Sequence, residues 1–172
     1  IMRHKGRAEL QSLSLVDELT GLYNRRGFML FAQQQLSIAI RTKRGMILFF
    51  IHLEGLNEIS EKFGRQYEDM AKIETTNILK EAFRDSDIIA HHGRDEFTAI
   101  ALESFDASNE IIITRLQDEL QNRNKQENRK YTLSLCIGTS YYDTEELCTI
   151  EELITRAEKS MIEQREMKTL ET

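Results

Sequence analysis

The sequence predicts an α/β or α+β sandwich in which helices cover a mixed sheet. Segments with apolar residues at three- and four-residue spacing alternate with short apolar runs, so helices and strands interleave along the chain. Two of those runs flank a polar piece centred on Gly93, which is typical of a β-hairpin. The predicted order is α-α-β-α-α-β-β-α-β-α, and one domain accommodates it.

The first half of the chain predicts two helices, a loop and a central strand. Residues 3–16 indicate a short helix, either the end of a coiled coil or a packed N-terminal helix. Residues 17–24 interrupt the periodicity and indicate a loop. Residues 25–41 are amphipathic. Residues 46–53 form an almost unbroken apolar run, typical of a strand covered on both faces.

The middle of the chain predicts two further helices and the hairpin. Residues 55–63 and 67–83 have helical periodicity and are separated near Gly64. The apolar runs 88–90 and 97–102 are the hairpin strands, with acidic residues at the turn between them.

The last third predicts a helix, a strand and a final helix. Asp106 or Ser108 can cap the first of these helices, and the polar stretch after it indicates a loop. Apolar residues alternate over 131–137, which indicates a strand. Thr149 and Glu152 form a capping box for the last helix.

The net charge of the chain bears on the kinds of partner that it can bind. The chain has a net charge of −6, with 30% charged and 40% hydrophobic residues. Because nucleic acids and anionic membranes attract basic surfaces, this balance argues against nucleic acid or a membrane surface as a partner. An anionic ligand would therefore be held by local arginines.

Cysteine content and apolar runs bear on location. Cys136 and Cys148 are too few for a disulfide framework, and we expect Cys136 to be a buried, reduced thiol. No apolar run approaches the roughly 20 residues that span a bilayer, and we expect no signal peptide. Because the chain opens on Ile1, we expect a piece of a longer protein, with a sensor or output domain outside this sequence. We expect a cytoplasmic location. This expectation also covers the case in which the chain is the cytoplasmic domain of a larger protein, even a membrane-bound one.

Several motifs in a fixed order carry a resemblance to one family. They are Asp17-x-Leu19-Thr20-Gly21-Leu22-x-Asn24-Arg25-Arg26, Phe63-Gly64, Arg84-x-x-Asp87 and Gly93-Arg-Asp-Glu-Phe97. Over roughly residues 14–168 the chain resembles the GGDEF (diguanylate cyclase) family. The resemblance implies a fold like the nucleotidyl cyclase and polymerase palm, with a mostly antiparallel five-stranded sheet. It implies a linker helix at 1–16, a GGDEF-type domain at 17–172 and a role in cyclic di-GMP signalling.

In active members of the family, two domains face each other, and each holds one GTP and two divalent cations. The two GTP molecules are condensed into cyclic di-GMP. The resemblance places the catalytic acids at Asp95 and Glu96. It places metal ligands at Asp95, His52, Glu54 and, through the backbone, Leu53. His52 replaces an aspartate, and because Mg²⁺ prefers oxygen ligands, this should weaken the site. Glu54 should share a strand face with His52 and is the candidate to compensate.

This sequence also differs from the family pattern at positions that bind GTP in the family. Arg94 replaces the second glycine of the motif, as either a phosphate clamp or a steric obstruction, and we favour obstruction. Asp69 aligns with the guanine-reading aspartate, whereas Ser60 replaces an asparagine. Asn57 replaces a phosphate-binding lysine, and Arg165 stands where another lysine is usual. The predicted GTP site is therefore degenerate.

The inhibitory product site, by contrast, is complete. Arg84 and Asp87 match the family's cyclic di-GMP site, and Arg115 falls where a second arginine is often supplied. An arginine fork can donate to guanine or phosphate oxygens, and an aspartate can accept from guanine. The alternative is a surface ion pair that contributes about 0–1 kcal/mol. The flanking motifs favour the ligand site.

Three functions follow as hypotheses. The first is an impaired GGDEF domain that binds cyclic di-GMP, possesses no efficient cyclase activity and passes a signal onward. The second is an active cyclase that uses Mg²⁺ or, since Mn²⁺ accepts nitrogen ligands better, Mn²⁺. The third is a dimerisation or scaffold domain that binds neither nucleotide. A zinc site is disfavoured because His91 and His92 are adjacent and should point to opposite faces of a strand.

Overall fold

Nine helices and strands follow one another in the computed structural model, which describes residues 13–102 and 108–171. The helices are α1 (Arg25–Thr42), α2 (Leu56–Phe63), α3 (Arg65–Ala82), α4 (Asn109–Asn124) and α5 (Ile150–Glu171). The strands are β1 (Met46–Leu53), β2 (Ile88–Gly93), β3 (Glu96–Leu102) and β4 (Leu135–Tyr142). The helix-strand alternation and the hairpin are confirmed.

The sheet has the order β2-β3-β1-β4, and all of its strand pairs are antiparallel. One apolar layer packs the sheet against α2, α3 and α4, and a second packs it against α1 and α5. Residues 46–51 are fully buried. The continuous apolar run of β1 thus reflects a central strand with a hydrophobic layer on each face.

The strand count differs from the five strands that the resemblance implies, because the described residues form four. The segment around Tyr23 lies beside β2, at the edge of the sheet where a further strand would pair. Tyr23 N donates to Ile89 O at 3.3 Å, and His91 N donates to Tyr23 O at 2.9 Å. This parallel bridge to Ala90 is a single pair, too short to count as a strand.

The strand predicted over 131–137 begins only at Leu135. Asn124 explains the delay, since its side chain accepts from Leu133 N and donates to Leu133 O, each at 2.9 Å. The alternation of apolar residues before Leu135 reflects loop residues packed on the core. Helix α4 also runs three residues into the polar stretch 122–130 that we expected to be a loop.

The beginning of the chain is partly described. Most of the helix predicted over 3–16 lies outside the described residues, and residues 14–16 are not helical. Residues 14–24, hereafter the N-terminal loop, lead into α1, where Asn24 accepts from Gly27 N as the helix N-cap. Gly27 has no room for a Cβ because the Leu15 carbonyl passes against it.

The predicted caps of the later helices are found where the structure describes them. Ser108 Oγ accepts from Ile111 N at 3.3 Å, and Thr149 Oγ1 accepts from Glu152 N at 3.1 Å. The other candidate cap, Asp106, lies outside the described residues. Each cap satisfies a backbone N–H that has no partner within its helix.

Cys136 is buried with 1% exposure and is a free thiol, as predicted. Its Sγ donates to Met161 O at 3.3 Å, and burial raises the pKa of the thiol. Among the helices described, none combines the length and the apolar character needed to cross a membrane.

Candidate functional site

The turn between β2 and β3 is attached to the end of β1. His52, on β1, pairs with Glu96 in the sheet register, so the end of β1 lies beside the turn. His52 Nε2 lies 3.0 Å from Asp95 Oδ2, and Leu53 N donates to Asp95 O at 2.8 Å. Asp95 is therefore hydrogen-bonded through both its side chain and its backbone.

The donors near this turn do not fit a magnesium site. His52 presents a nitrogen that already contacts Asp95. The Glu54 carboxylate accepts from Ser134 Oγ at 3.0 Å and from Lys168 Nζ at 3.5 Å. Within residues 13–102 and 108–171, no three His, Cys, Asp or Glu side chains converge as a group able to hold a metal ion. Mg²⁺ requires near-octahedral oxygen ligands, which this set does not supply.

Glu96 lies in a negative environment. Burial raises the pKa of its carboxyl group, and the charges of Asp95 and Glu158 raise it further. Glu158 comes from α5, and the sequence carried no signal that it would approach the turn. The carboxylates near the turn therefore repel one another, with His52 and Arg25 opposing that effect.

Arg94 crosses from the turn to the two helices that carry the predicted guanine-reading residues. Its Nε donates to Glu68 Oε1 at 2.7 Å, and its Nη1 donates to Asn57 Oδ1 in a short hydrogen bond. Glu68 is only 6% exposed. The Arg94 hydrogen bond is the main reason that the pKa of Glu68 is lowered. Arg94 is thus a bridge between the turn, α2 and α3.

The predicted GTP-binding residues are distributed around this bridge. A Ser60 hydrogen bond contributes to the lowered pKa of Glu68, so the Ser60 side chain faces Glu68. Asp69 follows Glu68 on α3 and is half-buried. Arg165 lies on α5, near Cys136, on the other face of the sheet from α3. Glu68 was missed from the sequence because no motif distinguished it from its neighbours.

A second region, hereafter the arginine cavity, lies at the other end of β2. This cavity has a volume of about 470 Å³. The N-terminal loop, the end of α3 and the start of β2 line it, through Gly21, Leu22, Tyr23, Lys80, Arg84 and Asp87. Lys80, in the last turn of α3 and four residues before Arg84, was missed because no motif distinguished it from its neighbours.

Arg84 and Asp87 form a closed four-residue turn. Arg84 N donates to Asp87 Oδ2 at 2.8 Å, and Asp87 N donates to Arg84 O at 2.9 Å. Burial raises the pKa of Asp87, against the opposing effects of that backbone hydrogen bond and of the Arg84 and Arg115 charges. Arg115, from α4, is therefore close enough to act on the carboxylate, and the three predicted ligand-binding residues lie together.

The two adjacent histidines point to opposite faces of the sheet, as expected. His91 stacks on Phe97, with ring centroids 4.9 Å apart. His92 lies edge-on to Phe28 and Phe50, in the layer beneath α1. Burial, with a smaller effect of the Arg25 charge, lowers the pKa of His92 to about 4. These rings do not form a shared metal site.

Comparison with known proteins agrees with this architecture. Residues 14–169 match the family described as diguanylate cyclase, GGDEF domain. Over 152 residues the chain is 28% identical to the cyclic di-GMP phosphodiesterase NbdA of Pseudomonas aeruginosa, covering 87% of this chain and 19% of that protein. The chain spans between 17% and 37% of the length of the curated relatives that it matches.

Two solved structures illustrate the shared fold. The GGDEF domain of PA1120 (TpbB or YfiN) from Pseudomonas aeruginosa has a TM-score of 0.79 and 24% identity, over 88% of this chain and 89% of that one. The GGDEF domain of DgcB from Caulobacter crescentus, in complex with c-di-GMP, has a TM-score of 0.78 and 15% identity, over 89% and 91%. The family match covers most of the residues, and the motifs occur in order. The chain therefore belongs to the GGDEF family of diguanylate cyclase domains.

Proposed function

We propose that this domain binds cyclic di-GMP in the arginine cavity and has little or no cyclase activity. One observation carries the proposal: Arg84 and Asp87 line a cavity on the domain surface, and Arg115, from a distant part of the sequence, is close enough for its charge to act on Asp87. A cyclic dinucleotide presents phosphates and guanine edges, and these groups need cationic donors and a carboxylate acceptor.

The chemistry of each residue matches part of such a ligand. Arg84 is exposed at the mouth of the cavity, and its guanidinium can donate two parallel hydrogen bonds to phosphate or to guanine O6 and N7. Asp87 can accept from guanine N–H groups. Arg115 and Lys80 add positive charge to a domain whose net charge is −6. The likeness to a GGDEF domain in complex with c-di-GMP supports the same assignment.

The turn supports the second half of the proposal. Arg94, bonded to Glu68 and Asn57, occupies the space between the turn and the helices that carry Ser60 and Asp69. This contact favours obstruction of the GTP site over a phosphate clamp. His52 supplies nitrogen where a hard cation needs oxygen.

The wider signalling role belongs to the same proposal. Because the chain spans a small part of its relatives, we expect a sensor or output domain outside this sequence to receive the signal. We also expect the ligand to bring two domains together as a homodimer. Light scattering with and without cyclic di-GMP tests this expectation, and a mass that stays that of one chain would contradict it.

Calorimetric titration of cyclic di-GMP tests the binding site. We expect binding to the wild type and a loss of about 100-fold for Arg84→Ala, because a charge-assisted bidentate contact contributes about 2–3 kcal/mol. Arg156→Ala is the matched control, since Arg156 is also an exposed arginine and pairs with Glu152 on α5 at 3.8 Å, away from the arginine cavity. Absence of heat with the wild type, or equal affinity in Arg84→Ala, would overturn the assignment.

Incubation with GTP and either Mg²⁺ or Mn²⁺, followed by chromatography, tests the loss of cyclase activity. We expect no cyclic di-GMP above the blank with either metal. Metal-dependent product that disappears in Asp95→Ala would show an active enzyme instead. A folded domain that is silent in both assays would favour the scaffold hypothesis.

A further inference from the structure

The N-terminal loop contacts both functional regions. Gly21 and Leu22 form part of the wall of the arginine cavity. The next residue, Tyr23, is hydrogen-bonded to Ile89 and to His91 on β2. The loop therefore lies against the candidate ligand site on one side and against the strand that leads to the turn on the other.

Asp17 fixes this loop internally and also faces β2. Its Oδ2 accepts from Thr20 N at 3.0 Å and from Thr20 Oγ1 at 2.7 Å. The same oxygen lies 3.2 Å from His91 Nδ1. Partial burial raises the pKa of Asp17, but the Thr20 hydrogen bonds and the attraction of His91 outweigh it, so the pKa is lowered. The carboxylate is an ionised acceptor at neutral pH.

The second nitrogen of His91 faces a second acceptor. His91 Nε2 lies 3.1 Å from the carbonyl oxygen of Arg94, in the turn. A neutral imidazole carries one N–H, whereas a carboxylate and a backbone carbonyl can only accept. Both contacts are hydrogen bonds only when the ring carries two protons. The His91 side chain is 10% exposed.

Three elements contribute the groups that face the His91 ring. The N-terminal loop contributes the Asp17 carboxylate. The turn contributes Arg94, whose guanidinium is directed away to Glu68 and Asn57, so that its carbonyl oxygen is the group facing the ring. Strand β3 contributes the aromatic face of Phe97, which is attractive to a cation.

We propose that His91 is a proton-dependent link which, as an imidazolium, ties the N-terminal loop and its wall of the arginine cavity to the turn between β2 and β3. Loss of one proton removes one of the two hydrogen bonds and loosens the loop. Cyclic di-GMP then binds more weakly, because one wall of its cavity is less ordered. The effect on the ligand rests on the proposed function, whereas the protonation of His91 and its effect on the loop do not.

Nuclear magnetic resonance of the ligand-free chain tests the link directly. Ring ¹⁵N shifts of His91, recorded between about pH 6 and 8.5, should show a doubly protonated ring at the acidic end, with the backbone amides of residues 17–23 following the same titration. His91→Phe keeps the ring stack and removes both donors, so the amide titration should disappear. In His52→Gln, which removes a different histidine beside the turn, it should persist. A neutral ring throughout, or loop amides that titrate equally in His91→Phe, would overturn the proposal.

Calorimetry with cyclic di-GMP over the same pH range provides the second readout. Wild-type affinity should fall at least about threefold as the pH rises, since histidine titrates within this range. His91→Arg keeps a charge and two donors at every pH, so its affinity should stay constant, and this variant serves if His91→Phe fails to fold. Binding that is independent of pH in the wild type contradicts the link alone. Absence of binding contradicts the proposed function and leaves the resonance result to decide the link.

Discussion

The two ends of β2 carry similar residues in opposite situations. At the turn, the Arg94 guanidinium is held by Glu68 and Asn57, and Asp95 by His52 and Leu53. At the arginine cavity, Arg84 is exposed and lines an open volume of about 470 Å³. At one end of β2 the arginine is thus hydrogen-bonded to neighbouring helices, and at the other end the arginine lines a cavity.

The difference lies in the surroundings of the two guanidinium groups, since Arg94 is hydrogen-bonded to a buried carboxylate and Arg84 lines a cavity. An arginine bonded to a buried carboxylate must break that contact before it can bind a phosphate, and an unpaired buried carboxylate is costly. Arg84, at the mouth of a cavity, has space in front of it for a ligand. Under the proposed function, the ligand therefore binds at the cavity rather than at the acidic turn.

After Arg84→Ala, the largest effect on this contrast should come from Asp87→Ala. We expect at least a 30-fold loss of cyclic di-GMP affinity, because the substitution removes the guanine acceptor and the hydrogen bond that holds Arg84 N. Asp85→Ala, at the adjacent position that also lines the cavity, is the control and should change affinity by less than about threefold. Equal losses in the two variants would show a general charge effect instead of a defined contact.

The closed state of the turn is tested by Arg94→Ala. Because Glu68 is buried, removal of its hydrogen-bonded partner should lower the free energy of unfolding by about 1–3 kcal/mol, measured by urea denaturation. Lys72 Nζ, 3.6 Å from Glu68 Oε1, remains beside the carboxylate and limits the loss. Adding Glu68→Gln to Arg94→Ala should recover part of that loss, since the buried charge that Arg94 no longer neutralises is then removed. If the single variant is as stable as the wild type, the bridge does not stabilise the turn.

The buried His92 should make the domain sensitive to acid. Its pKa is lowered to about 4, whereas an unfolded histidine titrates near 6.5. Between about pH 6.5 and 4 the unfolded chain binds a proton that the folded chain does not, so stability falls as the pH falls. The loss is about 1–2 kcal/mol after allowance for partial exposure. His92→Phe should remove this slope in denaturation curves, and an unchanged slope would assign the sensitivity to other groups.

The smallest effect should come from Asp95→Ala on cyclic di-GMP binding. Asp95 belongs to the turn, at the far end of β2 from Arg84, so we expect affinity within about twofold of the wild type. Calorimetry on this variant measures the independence of the two sites. A tenfold change would show that the turn takes part in ligand binding.

Local patterns were enough to predict most of the fold. These patterns depend on contacts between sequence neighbours or on burial against an apolar layer. Examples are the 3.6-residue periodicity of the helices, the apolar run of β1 and the cap at Thr149. The alternation at 131–137 misled because exposure alternates in packed loops as well as in strands. Asn124, which fixes Leu133, is too far away in sequence for the pattern to reveal.

The sequence by itself was enough to predict the family resemblance, from the order of the motifs, and the turn that joins Arg84 to Asp87, from their spacing. A four-residue turn closes locally, so its two ends must meet wherever it is placed. The sequence also showed that histidine and arginine stand at positions 52 and 94. What these side chains bond to could not be read from the sequence, because Glu68, Asn57 and Asp95 approach them only when the sheet and α2 and α3 pack together. Tertiary packing alone decided that Arg94 is hydrogen-bonded to Glu68 and Asn57 and that the N-terminal loop is a wall of the cavity.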